Sequence, residues 1–245
     1  MKYEALHSAM PASSRPGDGA ERAVGSGSVG GYPVAIRAIQ IGKRTIELAV
    51  VADLESLVDR EAILRGDGPE PPYWAYLWTG AVELARQLEE GDVCAGREVL
   101  DLGCGLGLVG VVAGLAGGRV TFLDRETDAL RFAAMNARRN DAVPCAIVYG
   151  DFTRDRLERR FDLILGAEVL YEAVAFGPLV DFIDAHLAPG GAAWFADAHR
   201  TDTRGFHGAL AAAGYEVDVE ELDRREEGLP LRIDILRVRR RAERG

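Results

Sequence analysis

Gly103, Gly105 and Gly107 stand directly after an apolar run, Val99-Leu100-Asp101-Leu102, and directly before a helix-forming stretch from Leu108 to Leu115. That order suits a buried parallel strand turning sharply into a helix. Glycine tolerates the positive φ of such a turn and lets a ligand lie against bare backbone at a helix N-terminus. The corner predicts a strand–loop–helix unit that binds a nucleotide-like molecule, although glycine corners also serve as plain tight turns. The spacing is Gly-x-Gly-x-Gly, not the Gly-x-Gly-x-x-Gly of dinucleotide folds.

Around this corner the chain reads as alternating helix and strand from Tyr73 onward. The pattern predicts helices over 79–90, 107–116, 126–140, 174–188 and 203–213. It predicts strands over 97–101, 119–123, 144–149, 161–166 and 192–197, with two more near 215–221 and 231–238. Such alternation means an α/β fold, a doubly wound and mostly parallel sheet of seven strands covered on both faces, whose ligands sit at the strands' carboxyl ends.

Three segments are expected. Residues 1–32 are rich in Gly, Ser, Ala and Pro, a composition that buries no core and predicts a disordered tail. Residues 33–72 hold an N-terminal β-hairpin, alternating through Val34, Ile36, Ile46, Leu48 and Val50. A helical stretch with Leu54, Leu57, Val58 and Leu64 follows, and then the breaker Gly66-Asp67-Gly68-Pro69. Residues 73–245 form the main domain.

Bulk properties exclude several function classes. The chain has 245 residues and a net charge of −10, which argues against tight, sequence-independent binding to nucleic acid. No apolar run approaches the ~20 residues that span a bilayer, and no secretory signal is visible, so a cytoplasmic protein is expected. Cys94, Cys104 and Cys145 form no pair with metal-ligand spacing, the histidines form no cluster, and a GxSxG elbow is absent. Metal catalysis and a serine or cysteine nucleophile are therefore not expected.

Polar residues at other strand ends should converge on the corner. Asp124 closes the second strand, where an acid can accept hydrogen bonds from both hydroxyls of a ribose; the competing reading is an N-cap for the next helix. Asp151 and Phe152 close the third, where they suit an adenine amino group and ring, or an ordinary turn. Gly166 closes the fourth and permits close approach of a ligand to the backbone, and Ala167, Glu168 and Tyr171 follow it, with a carboxylate and a phenol at the mouth; a carboxylate capping the following helix is the alternative. Upstream, Tyr73-Trp74-Ala75-Tyr76-Leu77-Trp78 packs four aromatics into six positions, a lid over the pocket or a share of the core.

Taken together, these stretches resemble the class I, seven-strand S-adenosylmethionine-dependent methyltransferases, and more narrowly their protein lysine methyltransferase branch, methyltransferase family 16. The match runs through Tyr73–Leu84, Asp101–Gly110, Val120–Glu126 and Leu163–Tyr171, the last resembling the signature Asp-x-x-Tyr with Glu168 in place of Asp. Phe152 replaces a common Trp, and Thr79 a common Pro. The resemblance implies a Rossmann-like methyltransferase sheet and S-adenosylmethionine as cofactor. It places Trp78, Asp101, Gly103, Gly105, Gly107, Asp124, Arg125, Asp151, Phe152 and Ala167 on that cofactor and Glu168 and Tyr171 at the catalytic end, with no metal.

The activity so implied is methylation of a lysine side chain on a protein substrate; separately, a hydrophobic core of this size can stand alone, so a monomer is expected. Two alternatives stand beside it: a small-molecule amine N-methyltransferase using the same cofactor residues, and a noncatalytic S-adenosylmethionine-binding interaction module.

Overall fold

Leu100, Leu102 and Ile164 point to one side of the sheet and Val99, Leu163 and Leu165 to the other, the period of two that a strand buried on both faces requires. The computed structural model describes residues 27–57, 65, 71–226 and 228–242. The strands in the first part of the chain are β1 (Ser28–Val29), β2 (Tyr32–Ile41) and β3 (Arg44–Val51). Next come α1 (Thr79–Glu90), β4 (Glu98–Leu102), α2 (Leu108–Leu115), β5 (Arg119–Asp124), α3 (Thr127–Arg139) and β6 (Ala146–Tyr149). The chain then forms β7 (Phe161–Ala167), α4 (Phe176–His186), β8 (Leu187–Asp197), α5 (Arg204–Ala212), β9 (Tyr215–Glu226) and β10 (Leu229–Arg240).

The main sheet has seven strands in the order β6-β5-β4-β7-β8-β10-β9. The first five are mutually parallel, and β10 inserts antiparallel between β8 and β9. The chain winds outward from β4 to β6, then returns to β7 on the other side of β4. The crevice that binds ligands in such sheets opens at that reversal, beside the glycine corner. Helices α1, α2 and α3 cover one face through Leu84, Leu88, Val111 and Phe132. Helices α4 and α5 cover the other through Phe182, Ile183, Phe206 and Leu210, each fully buried side chain of this size contributing roughly 1.5–3 kcal/mol.

The expected hairpin is present as β2 and β3, turning at Gly42-Lys43. It docks on α3 through two asparagines one helical turn apart. Asn136 Oδ1 accepts the Ala49 amide at 2.6 Å, and its Nδ2 donates to the carbonyls of Ala49 and of Leu106 in the glycine corner. Asn140 repeats the pattern on Glu47, accepting its amide at 2.9 Å and donating to its carbonyl at 3.0 Å. The two side chains thus satisfy alternate residues of the open edge of β3, which would otherwise present unpaired backbone groups.

Some boundaries differ from the sequence expectation. Ser28 and Val29, counted with the tail by composition, pair with Tyr32 and Pro33 across Gly30-Gly31, both at positive φ. β9 and β10 run five and two residues past the expected ends, because their tips carry charge on both faces and so lack an apolar alternation; cross-strand and helix-directed pairs such as Arg232–Glu221 and Arg224–Glu83 hold them instead. The expected helix over 54–64 is a single 3₁₀ turn at Glu55–Leu57 as far as it is described; its remainder, like the tail over 1–26, lies outside the described residues.

Candidate active site

Each glycine of the corner has a left-handed φ: +64° at Gly103, +51° at Gly105 and +79° at Gly107. A Cβ at Gly105 would also lie 3.0 Å from the Trp74 carbonyl oxygen, and one at Gly103 would lie 2.9 Å from Val169. The glycines are thus required by the backbone and by close packing on the protein side of the loop. The amides of Gly103 and Cys104 donate to the Leu123 carbonyl, tying the corner to the end of β5. Asp124 completes the tie: its Oδ2 accepts the Gly105 amide and its Oδ1 the Glu126 amide, both at 2.9 Å. It is not the N-cap of α3, a position that Glu126 holds without a side-chain bond.

Asp101 lies beneath the corner, where its Oδ2 accepts the Gly110 amide at 2.8 Å. Burial pushes its carboxyl up to about 8, against the pull of that hydrogen bond, so near neutral pH it largely keeps its proton. Across the crevice Asp151 is held by the amide and hydroxyl of Thr153 and by Arg154. Partial burial pushes its carboxyl up, but these partners outweigh it and leave the group below its usual range. Phe152 beside it meets Phe182 edge-on, with ring centres 6.4 Å apart.

Trp78 precedes α1 and donates its indole N–H to the Tyr73 carbonyl at 3.0 Å, packing its ring against Tyr73 and Tyr76. Trp74 turns inward between Tyr32 and Phe132. The aromatic segment therefore serves both readings: Trp74 packs on the core and Trp78 forms a wall.

Glu168 follows β7 with a left-handed φ of 56°. Its carboxylate does not cap the segment after it. Instead Oε1 accepts the Gly80 amide at 3.2 Å in the first turn of α1, where the helix dipole favours an anion, and Oε2 faces Arg200 Nε at 3.3 Å. Burial pushes the Glu168 carboxyl up to about 7, with Arg200 opposing. Gly166, expected to allow a ligand close to the backbone, is needed for packing: a Cβ there would lie 2.8 Å from the Phe195 ring.

One cavity of about 340 Å³ joins all of these groups. The corner glycines with Asp101 and Asp124 line its floor, Arg125, Asp151 and Phe152 one flank, and Trp78, Ala167, Glu168 and Tyr171 the opposite end. Every site residue expected from the sequence borders it. Arg200, which the sequence did not single out, borders it too, with its guanidinium 4.7 Å from the Trp78 ring centre. Only a polar loop after β8 marks its position in the sequence. Among the described residues no group of three or more His, Cys, Asp or Glu side chains could hold a metal ion, and no helix is long and apolar enough to cross a membrane.

Residues 75–195, from the aromatic segment to β8, match the family model described as the methyltransferase small domain. Over this stretch the chain is similar to a methyltransferase domain. Protein N-lysine methyltransferase METTL21A of Danio rerio is 38% identical to this chain over 124 residues, covering 47% of this chain and 56% of that protein. Electron transfer flavoprotein beta subunit lysine methyltransferase of the same organism is 38% identical over 109 residues, covering 43% of this chain and 42% of the other. The chain spans about half the length of the curated relatives it matches. Among solved structures, ribosomal protein L11 methylase from Lactobacillus delbrueckii subsp. bulgaricus shares the fold, with a TM-score of 0.55, 22% identity and coverage of 66% of this chain and 79% of that one. Magnesium protoporphyrin IX methyltransferase from Synechocystis PCC 6803, solved with bound SAM, matches at a TM-score of 0.53 and 16% identity, covering 74% of this chain and 90% of that one.

Proposed function

We propose that this protein uses S-adenosylmethionine to methylate the side-chain amine of a lysine on a protein substrate. The observation that carries the reading is the single cavity whose floor is the Asp124-tied glycine corner and whose far end is Trp78 with the buried Glu168. The residues present fit the cofactor. The three left-handed glycines open a backbone floor, and Asp124, though it already accepts two amides, keeps lone pairs for ribose hydroxyls. Asp151 would take the adenine amino group and Phe152 its ring. S-adenosylmethionine, when bound, supplies an electrophilic methyl group on a sulfonium sulfur.

The remaining work is positioning, which can supply several kcal/mol of a barrier. Glu168 and Tyr171 orient the incoming amine, and Trp78 shapes its path. Desolvation against that aromatic wall favours the neutral amine, the form that can act as a nucleophile. The names of the curated relatives support a protein lysine as acceptor, and the three free cysteines suit a reducing compartment such as the cytoplasm.

The test is incubation of the purified protein with radiolabelled S-adenosylmethionine and a proteome extract, beside Asp124→Ala and Glu168→Ala. A discrete labelled protein, lost in both variants and methylated on lysine by mass spectrometry, supports the proposal. Label confined to small molecules refutes the protein substrate, and cofactor binding without any label points to a noncatalytic module.

A further inference from the structure

At the substrate end of the cavity two carboxylates share one guanidinium. Arg200 Nε lies 3.3 Å from Glu168 Oε2, and its Nη2 lies 3.4 and 3.5 Å from the two oxygens of Glu226. These contacts are long beside the roughly 2.7–2.9 Å of a tight charge-assisted bond. Both carboxylates have other anchors: the Gly80 amide holds Glu168, and the Thr79 hydroxyl donates to Glu226 at 2.6 Å. Asp197, itself buried, adds further negative potential at Glu168. The guanidinium lies over the Trp78 face, with only 6% of the Arg200 side chain exposed. An aromatic face beside an excess of carboxylate is a seat for one organic cation.

Resting on the lysine reading above, we propose that Arg200 is a built-in competitor for the seat of the substrate ammonium. The incoming lysine takes Glu168, and Arg200 moves off it while keeping Glu226 as its counter-ion. Glu226 suits that role because it stands at the end of β9, beside the hairpin turn, and not in the core. The seat accordingly selects an organic ammonium over neutral groups of the same shape, and the bound ammonium passes its proton to Glu168 before its nitrogen can take the methyl group.

The experiment measures binding of n-butylammonium, with n-butanol as the neutral match, through tryptophan fluorescence; Trp78→Phe assigns the signal. No methyl donor is present. Removing the resident cation by Arg200→Met should tighten amine binding about ten-fold, the effect of one unit charge in a partly desolvated site. Glu226→Gln should weaken it about three-fold, because Arg200 then has Glu168 as its remaining partner of the two. Arg204→Gln, an exposed charge at the start of α5, should match the wild type. Amine binding no tighter in Arg200→Met, or butanol binding as well as the amine, overturns the proposal. Should Arg200→Met fail to fold, unchanged or tighter binding in Glu226→Gln overturns it alone. Failure of the extract experiment would strike the lysine reading and leave these binding constants standing; an unresponsive Arg200→Met would strike the competitor even if a labelled lysine were found.

Discussion

Replacing Gly80 by alanine sets two local effects of opposite sign against each other. Gly80 lies in the first turn of α1 without a left-handed φ, so alanine suits its backbone, and such a change ordinarily stabilises by about 0.5–1 kcal/mol. Here, however, a Cβ would fall 2.4 Å from Glu168 Oε1 and 3.0 Å from its Cδ. The carboxylate cannot swing aside freely, because its side chain is only 5% exposed and is paired with Arg200. It must surrender the Gly80 amide, a hydrogen bond to a charged group that contributes about 1.5–3 kcal/mol. The expected net effect is a loss of about 1–2 kcal/mol, or roughly 2–8 °C in melting temperature for a chain of this size. Urea denaturation measures it, and a double-mutant cycle with Glu168→Ala isolates its cause. In the Glu168→Ala background the same Gly80→Ala change should stabilise by the ordinary ~0.5–1 kcal/mol. A stabilising Gly80→Ala in the wild-type background, or the same sign in both, would show that Glu168 does not hold the helix start as described.

Three further outcomes are expected. Asp124→Ala should lower S-adenosylmethionine affinity at least about ten-fold by calorimetry, since the change orphans the Gly105 and Glu126 amides and removes the carboxylate at the corner. Gly105→Ala should cost about 1–3 kcal/mol in urea denaturation, from its φ of +51° and the 3.0 Å approach to Trp74; full stability would contradict the left-handed corner. The folded Glu168 carboxyl titrates near 7 rather than 4.5, so it holds its proton more tightly in the fold than in the unfolded chain. Its contribution to stability is then lost as pH rises from 4.5 through about 7. The stability difference between wild type and Glu168→Gln should therefore shift against the wild type across that window and flatten above it.

The sheet was legible because buried parallel strands write themselves as apolar runs: β4, β5 and β7 lie within a residue of their expected limits. The floor of the cavity was legible for a related reason, since each of its acids closes a strand and strand ends share one rim. What escaped was tertiary pairing. Thr79 and Glu226, and Glu168 and Arg200, meet only when β9 folds back toward α1 and β8 aligns with β7, and no local period records either event. Glu168 illustrates the difference well. Its place at the mouth followed from the strand before it, whereas its choice of helix depended on α1, far upstream. Asn136 and Asn140 read equally well as part of a solvated helix face until β3 lies against them.

Asn136 also makes the hairpin a thermodynamic neighbour of the cavity. The same amide nitrogen serves Ala49 on β3 and Leu106 in the corner, so the side chain can satisfy both only while both are in register. Ordering of one is then linked to ordering of the other, and linkage runs equally in both directions. A ligand that stiffens the corner should slow hydrogen exchange at the amides of Glu47 and Ala49, on a strand that does not border the cavity. Anything that grips the hairpin from outside should, by the same free energy, strengthen what the corner holds.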